Sequence, residues 1–86
     1  MEKNHRNIEQ LLFYGNRAQI LKLNRDSDKV DFLDHTMNEL IDLLIDEVEE
    51  LNNANGLIDV EQEAADVANF AHMIILKCAK FKGELE

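Results

Sequence analysis

The sequence has 86 residues, enough for one small domain and too few for a dinucleotide-binding α/β enzyme or two domains with a cleft. Eighteen acidic residues against nine Lys and Arg give a net charge of −9. This charge argues against nucleic-acid and membrane-surface binding, since both favour a basic face. The absence of Pro, with three Gly, four Phe and one Tyr, is typical of helices rather than of strands.

Acidic residues are concentrated in the middle of the chain. Between Val30 and Leu76 there are twelve carboxylates and no Lys or Arg. Like charge at this density destabilises a compact state unless cations neutralise it. Two interpretations are open at this point: a solvated acidic surface, or a site for a hard cation such as Mg²⁺, which prefers oxygen ligands.

Nothing in the sequence indicates secretion or a membrane span. The first residues lack the apolar run of a signal peptide. The longest apolar stretch, 64–76, is shorter than the ~20 residues that a spanning helix needs. Cys78 is the only cysteine, so no internal disulfide is possible. We therefore expect a cytoplasmic protein whose residues 1–86 form a single domain, with no membrane or nucleic-acid partner.

Three helices are predicted from the spacing of the apolar residues. The first runs from about Asn7 to Leu23, and the segment 24–28 forms a turn with Ser27 or Asp28 as a helix cap. The second runs from about Lys29 to Asn53. Its apolar seam recurs at steps of three and four and consists of Val30, Leu33, Met37, Leu40, Leu44, Val48 and Leu51.

The third helix is predicted from about Asp59, where a capping box with Gln62 is expected, to about Lys80. Apolar residues surround its axis over 64–76, and a helix of this kind is buried on every side. Three helices of this length cannot bury one of their number completely. We therefore expect an all-α fold in which helices two and three pair in a homo-oligomeric four-helix bundle, as a dimer or a dimer of dimers.

Some carboxylates lie on the wrong face of helix two. With Leu44 at the centre of the seam and 100° per residue, Glu47 lies about 60° from the centre and Glu50 about 120°. The opposite face, where solvated charges are expected, carries Asp42, Asp46 and Glu49. Glu47 therefore occupies a core position and Glu50 its edge.

Helix three repeats this pattern. Glu63 and Asp66 lie about 20° and 40° from Phe70, on either side, and Asn69 extends the polar strip. Buried carboxylates cost several kcal/mol unless they are paired, protonated or bound to a metal. No Lys or Arg nearby in the sequence pairs with them. For each helix alone, the other interpretation is that boundary acids reach solvent.

The short connection between helices two and three brings these two pairs of carboxylates together. Spacing of i, i+3 allows two carboxylates of one helix to reach the same ion. Carboxylates without a nearby His favour Mg²⁺, with Mn²⁺ as a possible substitute, over Zn²⁺. The predicted metal ligands are Glu47, Glu50, Glu63 and Asp66, and phosphates held by the metal are the expected substrate class.

The two half-motifs resemble a known family. Glu47-Val-Glu-Glu50, twelve intervening residues and Glu63-Ala-Ala-Asp66 reproduce the E-x-x-E…E-x-x-D signature of the MazG-like, all-α nucleoside triphosphate pyrophosphohydrolases. The second motif continues to Asn69 and Phe70, as in that family, and the motif-bearing part spans about residues 30–80. The resemblance implies Mg²⁺-dependent cleavage between the α- and β-phosphates of a nucleoside triphosphate, giving the monophosphate and pyrophosphate.

The resemblance also implies roles for individual residues. The four acids would hold Mg²⁺, Glu47 or Glu50 would act on the attacking water, and Asn69 would contact the nucleotide. Arg17 is a further candidate for substrate binding; the other interpretation places it on the surface. Lys77 shares the face of Asp66, but lies about 16 Å further along the axis, so a phosphate role requires a partner subunit.

Two alternative functions are open. Phosphoribosyl-ATP pyrophosphohydrolases have the same fold, and the Glu63-Ala-Ala-Asp66 motif also suits them. A non-catalytic acidic helical dimerisation module explains the charge and the apolar surfaces without a metal. The dimerisation module predicts that divalent cations have no effect on stability, whereas a metal site predicts stabilisation.

Overall fold

The computed structural model describes residues 2–25 and 34–83. These residues form three helices, α1 (Glu2–Arg25), α2 (Met37–Asn52) and α3 (Leu57–Phe81), and no strand. The predicted all-α class and the pairing of helices two and three are confirmed. The central helix is α3, which packs most extensively against α2 and also against α1.

A capping box sets the start of α2. The backbone N–H of Glu39 donates to Thr36 Oγ1 (3.1 Å), and the backbone N–H of Thr36 donates to Glu39 Oε1 (2.9 Å). The helix therefore begins at Met37, later than the predicted start near Lys29, because Thr36 satisfies a backbone donor of the first turn. The predicted residues Ser27, Asp28, Val30 and Leu33 lie outside the described part of the chain.

The predicted start of the third helix was also wrong. Gly56 is the N-cap of α3, with φ 86° and ψ 158°, so the helix begins before Asp59. Asp59 lies in the first turn, where its Oδ2 accepts a hydrogen bond from the backbone N–H of Asn55 (3.1 Å). A carboxylate at this position also interacts favourably with the positive end of the helix dipole.

Both neighbours of α3 run antiparallel to it. Lys77, near the end of α3, donates a hydrogen bond from Nζ to the carbonyl of His35, just before α2. On the other side, Gln19 of α1 contacts Asn69, while Lys22 contacts Asp66 one turn earlier in α3. The buried apolar residues of this arrangement are Leu40, Ala65, Phe70 and Met73.

One predicted seam residue of α2 lies outside the core. Leu40 is buried and Leu44 is half-buried, but Val48 is 47% exposed. Compared with the predicted seam, the face of α2 that meets α3 is rotated towards Glu47. Val48 instead continues an exposed apolar stripe that also contains Ile41 and Ile45. Asp42, Asp46 and Glu49 are exposed, as predicted.

The described residues of α1 and α2 leave part of the central helix exposed. Ile75 remains 63% exposed, and Leu76 is exposed as well. The all-round apolar surface of this helix is therefore only partly covered by α1 and α2. Of the described helices, none is sufficiently long and apolar to cross a membrane.

Candidate functional site: a carboxylate cluster at the α2–α3 turn

The turn 53–56 places the end of α2 beside the start of α3. Glu47 and Glu50, one turn apart on α2, meet Glu63 on α3, and one carboxylate oxygen of each lies within 4.8 Å of the others. Glu47 and Glu63 are half-buried, whereas Glu50 is exposed. Three of the four predicted ligands therefore converge, and we call them the glutamate triad.

Glu63 has the least favourable environment for a negative charge. Its Oε2 is shielded from solvent and accepts no hydrogen bond from the described residues. Burial raises the pKa of the Glu63 carboxyl, the neighbouring Glu50 and Asp66 raise it further, and Lys22 opposes them. Ionised Glu63 is therefore unfavourable, and a proton or a cation would relieve it.

The fourth predicted ligand faces α1. Asp66 is buried, and its Oδ2 lies 3.4 Å from Nζ of Lys22. No basic residue is near Asp66 in the sequence, but packing of α1 supplies a lysine that is remote in the sequence. Asp66 remains close enough to Glu63, one turn away, to affect its pKa.

Asn69 is also held by α1. Its Oδ1 accepts a hydrogen bond from Gln19 Nε2 (3.2 Å), and its Nδ2 donates to the carbonyl of Gln19 (3.2 Å). Gln19 Nε2 also lies 2.8 Å from Nδ1 of His72. The buried Asn69 amide is therefore engaged through both its oxygen and its nitrogen, and a nucleotide contact would use its second N–H or the second lone pair of Oδ1.

The remaining two predicted site residues have other surroundings. The Arg17 guanidinium lies 5.1 Å from the Tyr14 ring centroid and 5.9 Å from that of Phe13, on the exposed part of α1. Arg17 and Tyr14 line a groove of about 450 Å³ between α1 and α3. Lys77 is buried at the opposite end of the α2–α3 pair, where it also lies 5.8 Å from the Phe81 ring centroid.

The donor set of the triad fits a hard divalent cation. It offers three carboxylates, and the shielded Oε2 of Glu63 accepts no hydrogen bond from the described residues. Oxygen-only ligands suit Mg²⁺ or Mn²⁺ and are unlike the imidazole and thiolate sets typical of Zn²⁺.

Sequence reasoning missed Gln19 and Lys22. Their spacing of i, i+3 on α1 matches the spacing of Asp66 and Asn69 on α3, which run in the opposite direction. The matching spacing is visible in the sequence. It indicates a contact only when the two helices are known to be antiparallel neighbours.

Comparisons with known proteins leave the site to be interpreted from its own chemistry. No protein-family model, no curated protein and no solved structure matches the chain.

Proposed function

We propose that the chain is a Mg²⁺-dependent nucleoside triphosphate pyrophosphohydrolase of the MazG-like type, acting in the cytoplasm. The proposed reaction cleaves the bond between the α- and β-phosphates and gives the monophosphate and pyrophosphate. The observation that carries the proposal is the convergence of Glu47, Glu50 and Glu63 to within 4.8 Å at the α2–α3 turn. Carboxylates gathered in this way suit a cation that in turn holds phosphates.

The environments of the triad support different tasks for its members. Glu47 and Glu63 are half-buried and have limited freedom, which suits metal ligands. Glu50 is exposed and is therefore the carboxylate best able to orient or deprotonate a water. A bound Mg²⁺ would supply charge neutralisation on the phosphate oxygens. Asp66 would serve as the fourth ligand, and Asn69 would contact the nucleotide.

We also propose that the active form is a homodimer or a dimer of dimers. The stripe formed by Ile41, Ile45 and Val48 lies along one side of α2 and is exposed in the single chain. Ile75 and Leu76 add apolar surface on α3. Contiguous apolar surface of this kind is typical of interfaces, and pairing with a second copy would complete a four-helix bundle. Lys77 would contact the substrate's phosphates only within such an assembly, and Arg17 is a further candidate for substrate binding.

Pyrophosphate release with Mg²⁺ tests the proposed activity. The substrates are natural, deoxy and damaged nucleoside triphosphates together with phosphoribosyl-ATP, which tests the alternative within the same fold. Glu50→Gln should reduce turnover by at least ~100-fold, the range typical of a lost acid–base group. Glu49→Gln is the matched control, because Glu49 is an exposed neighbour on the far face of α2. Activity that survives Glu50→Gln, or absence of activity on every substrate, contradicts the proposal.

The ion pair between Lys22 and Asp66 favours a second candidate function. It satisfies one of the four acids without a metal, as a non-catalytic acidic dimerisation module would require. Such a module would use its acidic face to bind a basic protein. Melting temperatures that are the same with and without Mg²⁺, together with a Glu47→Gln variant no less stable than the wild type, would support this function over hydrolysis.

A further inference from the structure

We propose that Lys22 is a built-in competitor of the divalent cation: its ammonium neutralises Asp66 in the metal-free protein and must leave Asp66 when the metal binds. This inference rests on the proposed function, because it concerns regulation of the same site. It predicts that Lys22 lowers the metal affinity while stabilising the metal-free fold.

The position of Lys22 is fixed by the packing of α1. Its side chain is 15% exposed, that of Asp66 is 9% exposed, and their charged atoms are 3.4 Å apart. One turn earlier, Gln19 is joined to Asn69 by two hydrogen bonds and contacts His72. These contacts hold the segment of α1 that carries Lys22 against α3. The packing of α1 therefore places the Lys22 ammonium beside Asp66.

A divalent cation and this ammonium compete for the same carboxylate. A ligand oxygen lies ~2.1 Å from Mg²⁺, so the metal at Asp66 would bring two like charges close together. Like charges at such short range repel each other strongly where the surrounding protein reduces solvent screening. Lys22 therefore either moves away from Asp66 or weakens binding of the metal.

Removal of the lysine charge changes two properties in opposite directions. The metal-free protein loses stability, since a buried carboxylate without its cation is costly. The metal-bound protein gains affinity, because neither repulsion nor displacement of the ammonium opposes binding. An ion pair with a structural role alone predicts lower stability and no gain in affinity, so the two measurements together separate the explanations.

The test is a titration of the protein with Mn²⁺ as the only metal. The electron paramagnetic resonance signal measures the concentration of free Mn²⁺ at each step. Lys22→Gln should bind Mn²⁺ about tenfold more tightly than the wild type, and Lys22→Arg, which keeps the charge, should bind like the wild type. Arg6→Gln removes an exposed charge from the same helix, about 160° around its axis, and should leave the affinity unchanged. Equal or weaker binding by Lys22→Gln overturns the inference, whereas no binding by any variant overturns the proposed metal site itself.

A second measurement needs no substitution. Acetylation of lysine amines with limiting acetic anhydride, read by mass spectrometry, reports the accessibility of Lys22 in the wild type. Saturating Mn²⁺ should increase the modification of Lys22 relative to that of the exposed Lys80. Unchanged modification of Lys22 at saturating Mn²⁺ would show that the ammonium stays in place, contrary to the inference.

Discussion

Glu50 and Glu63 present carboxylate oxygens within 4.8 Å of each other across the turn that joins α2 and α3. The charge of Glu50 therefore lies beside the Glu63 carboxylate, which is already partly shielded from water. Together with burial, Glu50 raises the pKa of Glu63, so the pair is stabilised by anything that supplies positive charge. A divalent cation and a proton are the two candidates, and they compete for the same oxygens.

Magnesium should stabilise the folded protein. A ligand that binds only the native state, at ten times its Kd, adds about 1.4 kcal/mol to the free energy of unfolding. For a domain of this size, that gain corresponds to an increase in Tm of about 6–11 °C. Differential scanning fluorimetry with and without Mg²⁺ measures it. The increase should disappear in Glu63→Gln and remain in Glu49→Gln, and an equal increase in both variants would place the ion elsewhere.

The contribution of Glu63 to the stability of the metal-free protein should become more favourable as the pH falls from neutral. The raised pKa of Glu63 means that the folded state binds this proton more tightly than the unfolded state does. The penalty from ionised Glu63 is therefore present above the raised pKa, and it is relieved as the pH falls through that value towards the ordinary pKa of a glutamate. Glu50 and Asp66 contribute to the raised pKa, and Lys22 opposes it.

Urea unfolding in the presence of a chelator measures this pH effect. Glu63→Gln should be more stable than the wild type at neutral pH, and the difference should shrink as the pH falls. The Thr36 cap holds the pKa of Glu39 below its ordinary range and gives the opposite trend, which is common to both proteins and cancels. A difference that stays constant with pH would show that Glu63 does not titrate as described.

The sequence predicted the inward-facing acids from local periodicity, and the pairing of α2 with α3 from the short connection between them. Glu47 and Asp66 interrupt apolar faces, so their burial follows from a 100° rotation per residue. The pairing of Asp66 with Lys22 could not be predicted in this way. It depends on which helix packs beside α3, and periodicity within one helix carries no information on that choice.

The start of α2 shows a different limit. The apolar seam extends before Met37 in the sequence, so periodicity alone placed the helix start too early. The Thr36–Glu39 capping box ends that ambiguity, because its two side chain–backbone hydrogen bonds compensate the unpaired donors of the first turn. The capping residues Thr36 and Glu39 therefore determine the start of α2, although the apolar pattern continues before it.

The backbone of Gly56 should limit substitution at the turn. Its φ of 86° and ψ of 158° lie in a region that residues with a side chain rarely adopt, at a cost of about 1–3 kcal/mol. A Cβ at Gly56 would meet no atom within 4 Å, so the cost is conformational rather than steric. Gly56→Ala should therefore lower the free energy of unfolding by about this amount, measured by urea denaturation.

Gly15 provides the matched comparison. It lies within α1, and a Cβ there also meets no atom within 4 Å. Gly15→Ala should raise the stability by about 0.5–1 kcal/mol, because alanine loses less entropy in a helix. Equal effects of the two substitutions would contradict the backbone conformation described for the turn. Gly56→Ala should also weaken Mg²⁺ binding, since the turn brings Glu50 and Glu63 together.

A charge on the apolar stripe of α2 should prevent self-association. Ile45 is 51% exposed in the single chain and lies between Ile41 and Val48 on the stripe. Ile45→Glu places a carboxylate where an interface between two copies would exclude water, and an unpaired buried charge costs several kcal/mol. Multi-angle light scattering should give a dimer or tetramer mass for the wild type and a monomer mass for Ile45→Glu.

Circular dichroism of the same samples shows whether the variant keeps its helices. Asp46→Asn is the control for this experiment, because Asp46 is an exposed neighbour outside the stripe. It should associate like the wild type. A wild-type protein that elutes as a monomer at every concentration would contradict the proposed assembly. A variant that remains dimeric would move the interface to the exposed apolar residues of α1 or α3, where Leu11 and Ile75 are the next substitutions to test.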